Sequence, residues 1–419
     1  MNFGQILQGL IVFLSAFTSA TCLCAGFFGL APLSEASQVK AWVAKHPGSY
    51  WVEGEDRILI GMDRWEAQDT PGGSRTVVIE AAARPSMVYF YQGSGPLPAQ
   101  SRELVRGGRT RVIESPRPIV MPDDHHHRLR PLQPNVRLVQ KLPLAPHPRM
   151  KINSISAALD ADTWRSDVDE LSRFSRYTYG PEIEASRILL TNRFRNLPGL
   201  QVEEVSFPTP RGMATNIVAK LPGRSRPDEV YVVGAHYDST SERPLDQAPG
   251  AEDNASGVAG LLTLARIFAD QPPEATLIFV AFSGEEQGML GSRAWLDAWL
   301  RESRTQQIHS VFIMDMIGYS GDAELDCLLE TSAASRPFLD QIRAAHVDSE
   351  LVLSESLDYW GSDHVPFLDR KIPAVLFIEN DYLDYPAYHR STDTLDKIHP
   401  ILGPKILGLI GQTIGSLAY

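Results

Sequence analysis

Cysteine is scarce: three occur in 419 residues, Cys22, Cys24 and Cys327. Two of them lie in the N-terminal apolar run, so a chain that loses that run keeps one thiol and no intrachain disulfide framework. An excess of positive charge is also missing. Lys and Arg number 39 against 51 Asp and Glu, a net charge of −12, which argues against nucleic acid as the main partner. No internal repeat of fixed period is visible. Apolar residues nevertheless make up 43% of the chain and charged residues 21%, enough for a sizeable core. That balance excludes a wholly disordered, collagenous or multi-spanning membrane chain.

What is present begins with Ile6–Ala31, 26 residues without a charge. The run reads either as a secretory signal cleaved after a small residue such as Ala20 or Ala25, or as an uncleaved anchor long enough to span a bilayer. No Lys or Arg precedes it, and neither Cys22 nor Cys24 has a Leu three positions before it. Either reading implies export: secretion or a periplasmic site, or membrane attachment through residues 6–31. Residues 32–120 carry short alternating runs such as SYWVEG, RILIGM, SMVYFYQG and RTRVIES between Gly, Pro and Ser breaks, the pattern of a small β-rich domain. Its role is open among a propeptide, an accessory binding domain and an elaboration of the larger C-terminal domain. Residues 121–150 are dense in Pro and Arg and read as a linker. The charge is uneven. Residues 32–150 hold 16 Lys/Arg and 12 Asp/Glu, and residues 151–419 hold 23 and 39, that is +4 against −16. The acid excess suits a site that holds cations, and equally a merely soluble surface.

From residue 151 to 419 apolar strands alternate with helical patterns, as in an α/β domain with a largely parallel or mixed sheet. Polar residues cluster just after the strands, where ligand sites form in open α/β sheets. Strand 230–234 runs into His236 and Asp238; Asp253 lies in a Gly-rich loop that opens a helix. Strand 276–282 leads to Glu285 and Glu286, strand 311–314 to Asp315, and a loop after 374–379 carries His389. Imidazoles and carboxylates of this kind fit a divalent ion, best matched by zinc. Two ions about 3.5–4 Å apart need a bridging carboxylate and one imidazole each. Asp253 can bridge, His236 and Asp315 can serve one ion, and Glu286 and His389 the other. Asp238 can accept the second ring N–H of His236. Glu285 is left as a general base.

The segments GAHYDS, PGAEDNASG, FSGEEQG, MDM, GSDHVPF and YHRSTDT resemble the motifs of the co-catalytic di-zinc aminopeptidases, over roughly residues 150–419. The resemblance implies a phosphorylase/hydrolase-like three-layer α/β/α sandwich with a mixed central sheet, here preceded by the small β-rich domain. It implies two zinc ions per chain on His236, Asp253, Glu286, Asp315 and His389, with Asp253 as the bridge and a cis Asp253–Asn254 peptide. It implies an aminopeptidase acting on peptides with a free N-terminus, and with the N-terminal run the expectation is a secreted monomer. A water held between the ions would be deprotonated by Glu285, with Asp238 behind His236 and Tyr359 steadying the oxyanion. Met316, Leu376, Ile378 and Tyr388 match positions that line an apolar pocket in such enzymes, which suggests bulky apolar N-terminal residues. Relatives define the alternatives. A carboxypeptidase would need a basic cluster, for which only Arg390 and Lys371 stand near. A glutaminyl cyclase keeps similar ligands around one zinc. A receptor-like binding module typically lacks ligands, and here all five are present.

Overall fold

The computed structural model describes residues 27–62, 78–81, 87–93, 95–119, 126–144, 155, 158–302 and 306–419. Residues 6–26 of the expected export run lie outside them. Two compact units divide between Leu138 and Val139. Among the described residues no helix is long and apolar enough to cross a membrane.

The N-terminal unit is built from strands β1 (Phe27–Pro32), β2 (Tyr50–Glu53), β3 (Arg57–Met62), β4 (Val78–Ala81), β5 (Met87–Gln92), β6 (Arg102–Gly107), β7 (Thr110–Ser115), β8 (Arg128–Pro131) and β9 (Val136–Arg137). They form a five-stranded sheet, β4-β1-β3-β2-β9, and a four-stranded sheet, β6-β7-β5-β8. Phe28, Tyr50, Val52 and Leu59 of the first sheet pack with Val88, Phe90, Val105 and Val112 of the second. Helix α1 (Ala36–Val43) covers the other face of the first sheet through Val39 and Val43, against Ile58 and Ile60. Gly61 is required by this packing, since a Cβ there would sit 2.1 Å from the Tyr50 ring.

Two expected boundaries move. Residues 27–31, assigned to the end of the export run, instead pair with β3 and β4. Phe28 and Leu30 feed one cluster and Ala31 the other, the period-2 alternation of a strand. The stretch 121–150, expected as a linker, supplies β8, β9 and a strand of the second unit, β10 (Gln140–Leu142). All three are sheet-edge strands of two to four residues, where proline is tolerated and no periodicity can register.

The second unit adds β11 (Gln201–Thr209), β12 (Gly212–Leu221), β13 (Arg226–His236), β14 (Ala275–Phe282), β15 (Gln307–Met314), β16 (Leu325–Glu330), β17 (Leu351–Ser356) and β18 (Ala374–Ile378). With β10 they form one nine-stranded sheet, β10-β17-β16-β18-β15-β13-β14-β12-β11. Its centre is parallel (β18, β15, β13, β14), and antiparallel pairs β16–β18 and β12–β14 flank it. The helices are α2 (Ala161–Ser172), α3 (Ile183–Arg195), α4 (Gly257–Asp270), α5 (Leu290–Arg301), α6 (Arg336–Ala345), α7 (Val365–Asp369) and α8 (Leu402–Ala418). Central strands are apolar on both faces, so they must be covered twice. Tyr231, Val233, Leu277, Phe279, Phe312 and Met314 pack with α2, α4, α6 and α8. The alternate residues Val230, Val232, Ile278, Val280, Val311 and Ile313 pack with Trp295 and Leu296 of α5 and Phe367 of α7. The result is the three-layer α/β/α sandwich with a mixed sheet. Asp160 caps α2, its carboxylate accepting from the amides of Asp162 and Thr163 at 3.0 and 3.3 Å.

Candidate metal centre

Because β18, β15, β13 and β14 run parallel, their C-terminal ends meet at one sheet edge. His236 is the last residue of β13, Asp315 follows β15, and Glu285 and Glu286 follow β14. Asp253 stands in the 251–256 segment ahead of α4, and the Asp253–Asn254 peptide is cis, as the resemblance implies. His389 arrives on the loop after β18 with a positive φ of 53°.

These residues converge in two halves. His236 Nε2 lies 3.2 Å from Asp315 Oδ1 and 3.3 Å from Asp253 Oδ1. His389 Nε2 lies 3.0 Å from Glu286 Oε2 and 3.2 Å from Asp253 Oδ2. Asp253 therefore presents one oxygen to each half. All five sequence-predicted ligands are brought together.

The electrostatics fit a cation. Burial pushes the Glu286 carboxyl up to about 7, against the pull of His389. Neither buried Glu286 oxygen accepts a hydrogen bond among the described residues, although His389 Nε2 lies 3.0 Å from one of them. Burial would lower the His389 pKa, but Glu286 and Asp253 outweigh it and raise it to about 10. Three buried carboxylates around two imidazoles are mutually repulsive until a cation of higher charge replaces those protons. Orphaned buried oxygens and an N₂O₃ donor set suit zinc.

Glu285 is 6% exposed, and burial raises its carboxyl well above the usual range, with His236 opposing and Asp315 and Asp363 adding to the rise. Asp238 does something other than expected. His236 Nδ1 is 3.1 Å from the main-chain carbonyl of Asp238 and 3.8 Å from its carboxylate. The carbonyl, nearer along the same turn, fixes the ring. The carboxylate instead accepts from Thr178 Oγ1 at 2.9 Å and from the amides of Glu285 and Glu286 at 3.3 Å each. It fastens the turn that carries Glu285 and Glu286. Asp238→Ala should therefore lower kcat about 10–100-fold while leaving zinc content unchanged, read by steady-state kinetics beside metal analysis.

Tyr359 is half-buried, and its hydroxyl donates to Asp369 Oδ1 at 3.3 Å. Met316, Leu376 and Ile378 are at most 1% exposed, so they are core; Tyr388, stacked on His389 at 3.8 Å, and Tyr359 keep exposed surface beside them.

Sequence reasoning passed over three supports. Asp393 accepts the amides of Glu252 and Asp253 at 2.8 and 3.0 Å and the Tyr385 hydroxyl at 2.6 Å, which sets the Asp253 carboxylate in place. It lies four residues after His389, inside the quoted YHRSTDT segment. Asn254 donates to Met314 O at 2.9 Å and accepts from the Gly257 and Met316 amides at 3.0 and 3.2 Å, tying the segment to the end of β15. Ser362 donates to Asp315 Oδ2 at 2.7 Å, orienting the other oxygen towards His236.

The model of Peptidase family M28 matches residues 216–408, a span that holds both halves of the centre. An uncharacterized protein of Escherichia coli, YfbL, is 30% identical over 229 residues, which cover 48% of this chain and 70% of that protein. The chain belongs to peptidase family M28. Other relatives of this M28 chain are a probable zinc metalloprotease of Pyrenophora teres f. teres, 42% identical over 132 residues (31% of this chain, 27% of the relative), and aminopeptidase YwaD of Bacillus subtilis, 33% identical over 177 residues (41% and 37%). The chain spans between about a quarter and a half of the length of the fungal zinc metalloproteases it matches. Among solved structures, the aminopeptidase from Aneurinibacillus sp. strain AM-1 superposes with a TM-score of 0.54 at 18% identity, covering 64% of this chain and 96% of that one. The glutaminyl cyclase of Fimbriiglobus ruber gives 0.52 at 20%, covering 65% and 99%. Both likenesses concern the M28 fold.

Proposed function

We propose that this chain is a zinc-dependent aminopeptidase that holds two zinc ions and hydrolyses the first peptide bond of peptides with a free N-terminus. The observation that carries the reading is Asp253, with one carboxylate oxygen facing His236 and Asp315 and the other facing His389 and Glu286. Kinship with YwaD supports the activity, and the names of the fungal relatives support the metal.

When bound, zinc supplies Lewis-acid polarisation of a peptide carbonyl and lowers the pKa of a nearby water. The chain's own residues do the rest. Glu285, beside the ligand Glu286 and outside the two ligand halves, takes the water's proton on its carboxylate and returns it to the leaving amine. Asp238 holds that carboxylate in place through the two turn amides. The acidic surroundings attract the substrate's α-ammonium group. Of the apolar positions, Tyr388 and Tyr359 have surface to offer, so a first side chain that packs on aromatic rings is favoured. Export rests on the uncharged run from residue 6 alone.

The test compares a leucyl anilide with its N-acetylated form, with and without chelator. Release of aniline from the free-amine substrate alone, abolished by chelator, is expected. Cleavage of the blocked substrate, or conversion of a glutaminyl peptide to its pyroglutamyl form without release of an amino acid, would assign a different reaction.

A further inference from the structure

Arg176 lies between α2 and α3 and is fully buried. Among the described residues its side-chain hydrogen bonds go to main-chain carbonyls: Nε to Tyr237 at 2.9 Å, Nη1 to Leu171 at 2.8 Å and Pro249 at 2.5 Å, and Nη2 to Gly250 at 2.7 Å. Those acceptors belong to three separate pieces of chain. Leu171 is in the last turn of α2, Tyr237 sits between His236 and Asp238, and Pro249–Gly250 leads into the Asp253 segment. The Arg176 backbone joins the same pieces, accepting from the Ser239 amide at 3.1 Å and donating to Ala248 O at 3.4 Å. Gly250 has φ +50°, and a Cβ on it would come 2.2 Å from Asp253 O and 3.0 Å from Arg176 Nη2. The Asp253 segment is thus folded back hard against the guanidinium.

Among the described residues no carboxylate touches this guanidinium, and burying such a charge is costly unless something repays it. Burial lowers its pKa to about 10, which leaves it charged at neutral pH, and the fields of Asp393, Asp238, Asp253 and Glu286 oppose that fall. Only a planar fork of five N–H donors serves four carbonyls arranged this way; an ammonium group has three donors and no plane.

We propose that Arg176 is a positioning residue that straps the His236–Asp238 turn to the Asp253 segment and so fixes where the shared Asp253 carboxylate stands relative to His236. The proposal rests on the zinc reading above. A strap of this kind sets the geometry that the bridging carboxylate must keep, without touching metal or substrate. Loss of a support behind a ligand typically costs about 10–100-fold in metal affinity.

The experiment uses the full chain with Arg176→Met and Arg176→Lys, checked for folding by circular dichroism. Zinc affinity is measured by chelator competition, and ligand geometry by the visible absorption of the cobalt-substituted protein. Folded Arg176→Met is expected to bind zinc about 10–100-fold more weakly, with shifted cobalt bands, and Arg176→Lys to recover part of the affinity. Wild-type affinity and an unchanged cobalt spectrum in Arg176→Met would overturn the proposal. If Arg176→Met does not fold, Arg176→Lys decides: it keeps the charge but loses the fork, so wild-type values in it refute the strap and weakened values support it. A wild-type chain that takes up no zinc would sink the zinc reading, and this role with it; zinc uptake indifferent to residue 176 would sink the strap alone.

Discussion

Glu285→Gln should retain about two zinc ions per chain and lose activity by roughly 10²–10⁴-fold, the usual contribution of a positioned general base. The turn after β14 divides the work between two neighbours. Glu286 is committed to the half it shares with His389, at 3.0 Å. Glu285 is directed by the same turn, and its own amide is held by Asp238 Oδ1 at 3.3 Å. Its carboxyl lies outside the contacts that define the two halves, and the fields it feels first are those of His236 and Asp315. A glutamine keeps its size and its amide bond to Asp238 but has no carboxylate to take a proton. Metal analysis and single-turnover kinetics on the same preparation test this. Loss of zinc with an unchanged rate per remaining ion would make Glu285 a ligand and leave the base unassigned.

Asp253→Ala should lower zinc content from about two per chain to below one and cut activity by about a thousandfold or more. Each half would keep two donors, His236 with Asp315 and His389 with Glu286, one fewer than a catalytic zinc site normally takes from protein. Lewis-acid assistance is worth several kcal/mol, and each 1.36 kcal/mol is about tenfold in rate. The fold should survive. The segment remains tied by Asn254 to Met314 and by the amides of residues 252 and 253 to Asp393. Equal zinc content in Asp253→Ala and wild type, by atomic emission on dialysed protein, would show that Asp253 is not shared.

Much of this is legible in sequence because parallel strands impose a rule. Short apolar runs such as ATLIFVAF, bounded by Pro and Gly and rich in β-branched and aromatic residues, fit strands buried on both faces, and the C-terminal ends of parallel strands lie at one edge. Once His236, Glu286, Asp315 and His389 are known to follow such strands or the loops after them, their convergence is nearly forced. The placement of Glu285 beside Glu286 at that edge is legible for the same reason. Other features depend on contacts that spacing does not encode. Asp238 lies two residues from His236, which suggests a ring contact, yet its carboxylate turns to amides 47 and 48 residues further on. Asp393 and Arg176 act on main-chain groups, and a side chain that binds backbone leaves no partner residue in the sequence to betray it. The hairpin β11–β12 and strand β6 carry weak alternation, which does not set them apart from the loops around them, while β1 (FFGLAP) continues the uncharged run before it and so reads as part of that run. The 121–150 stretch misleads in the opposite sense: its prolines suggest a linker, while edge strands of two to four residues need too few amides to be disrupted by them.

The central claim is that two zinc ions share Asp253. Diffraction from crystals grown with zinc, recorded at the zinc absorption edge, tests it most directly. Two anomalous peaks are expected, one within about 2.0–2.2 Å of His236 Nε2 and an Asp315 oxygen, the other equally close to His389 Nε2 and a Glu286 oxygen, each also reached by one Asp253 oxygen. A single peak, or two peaks with Asp253 bound to only one of them, would contradict it.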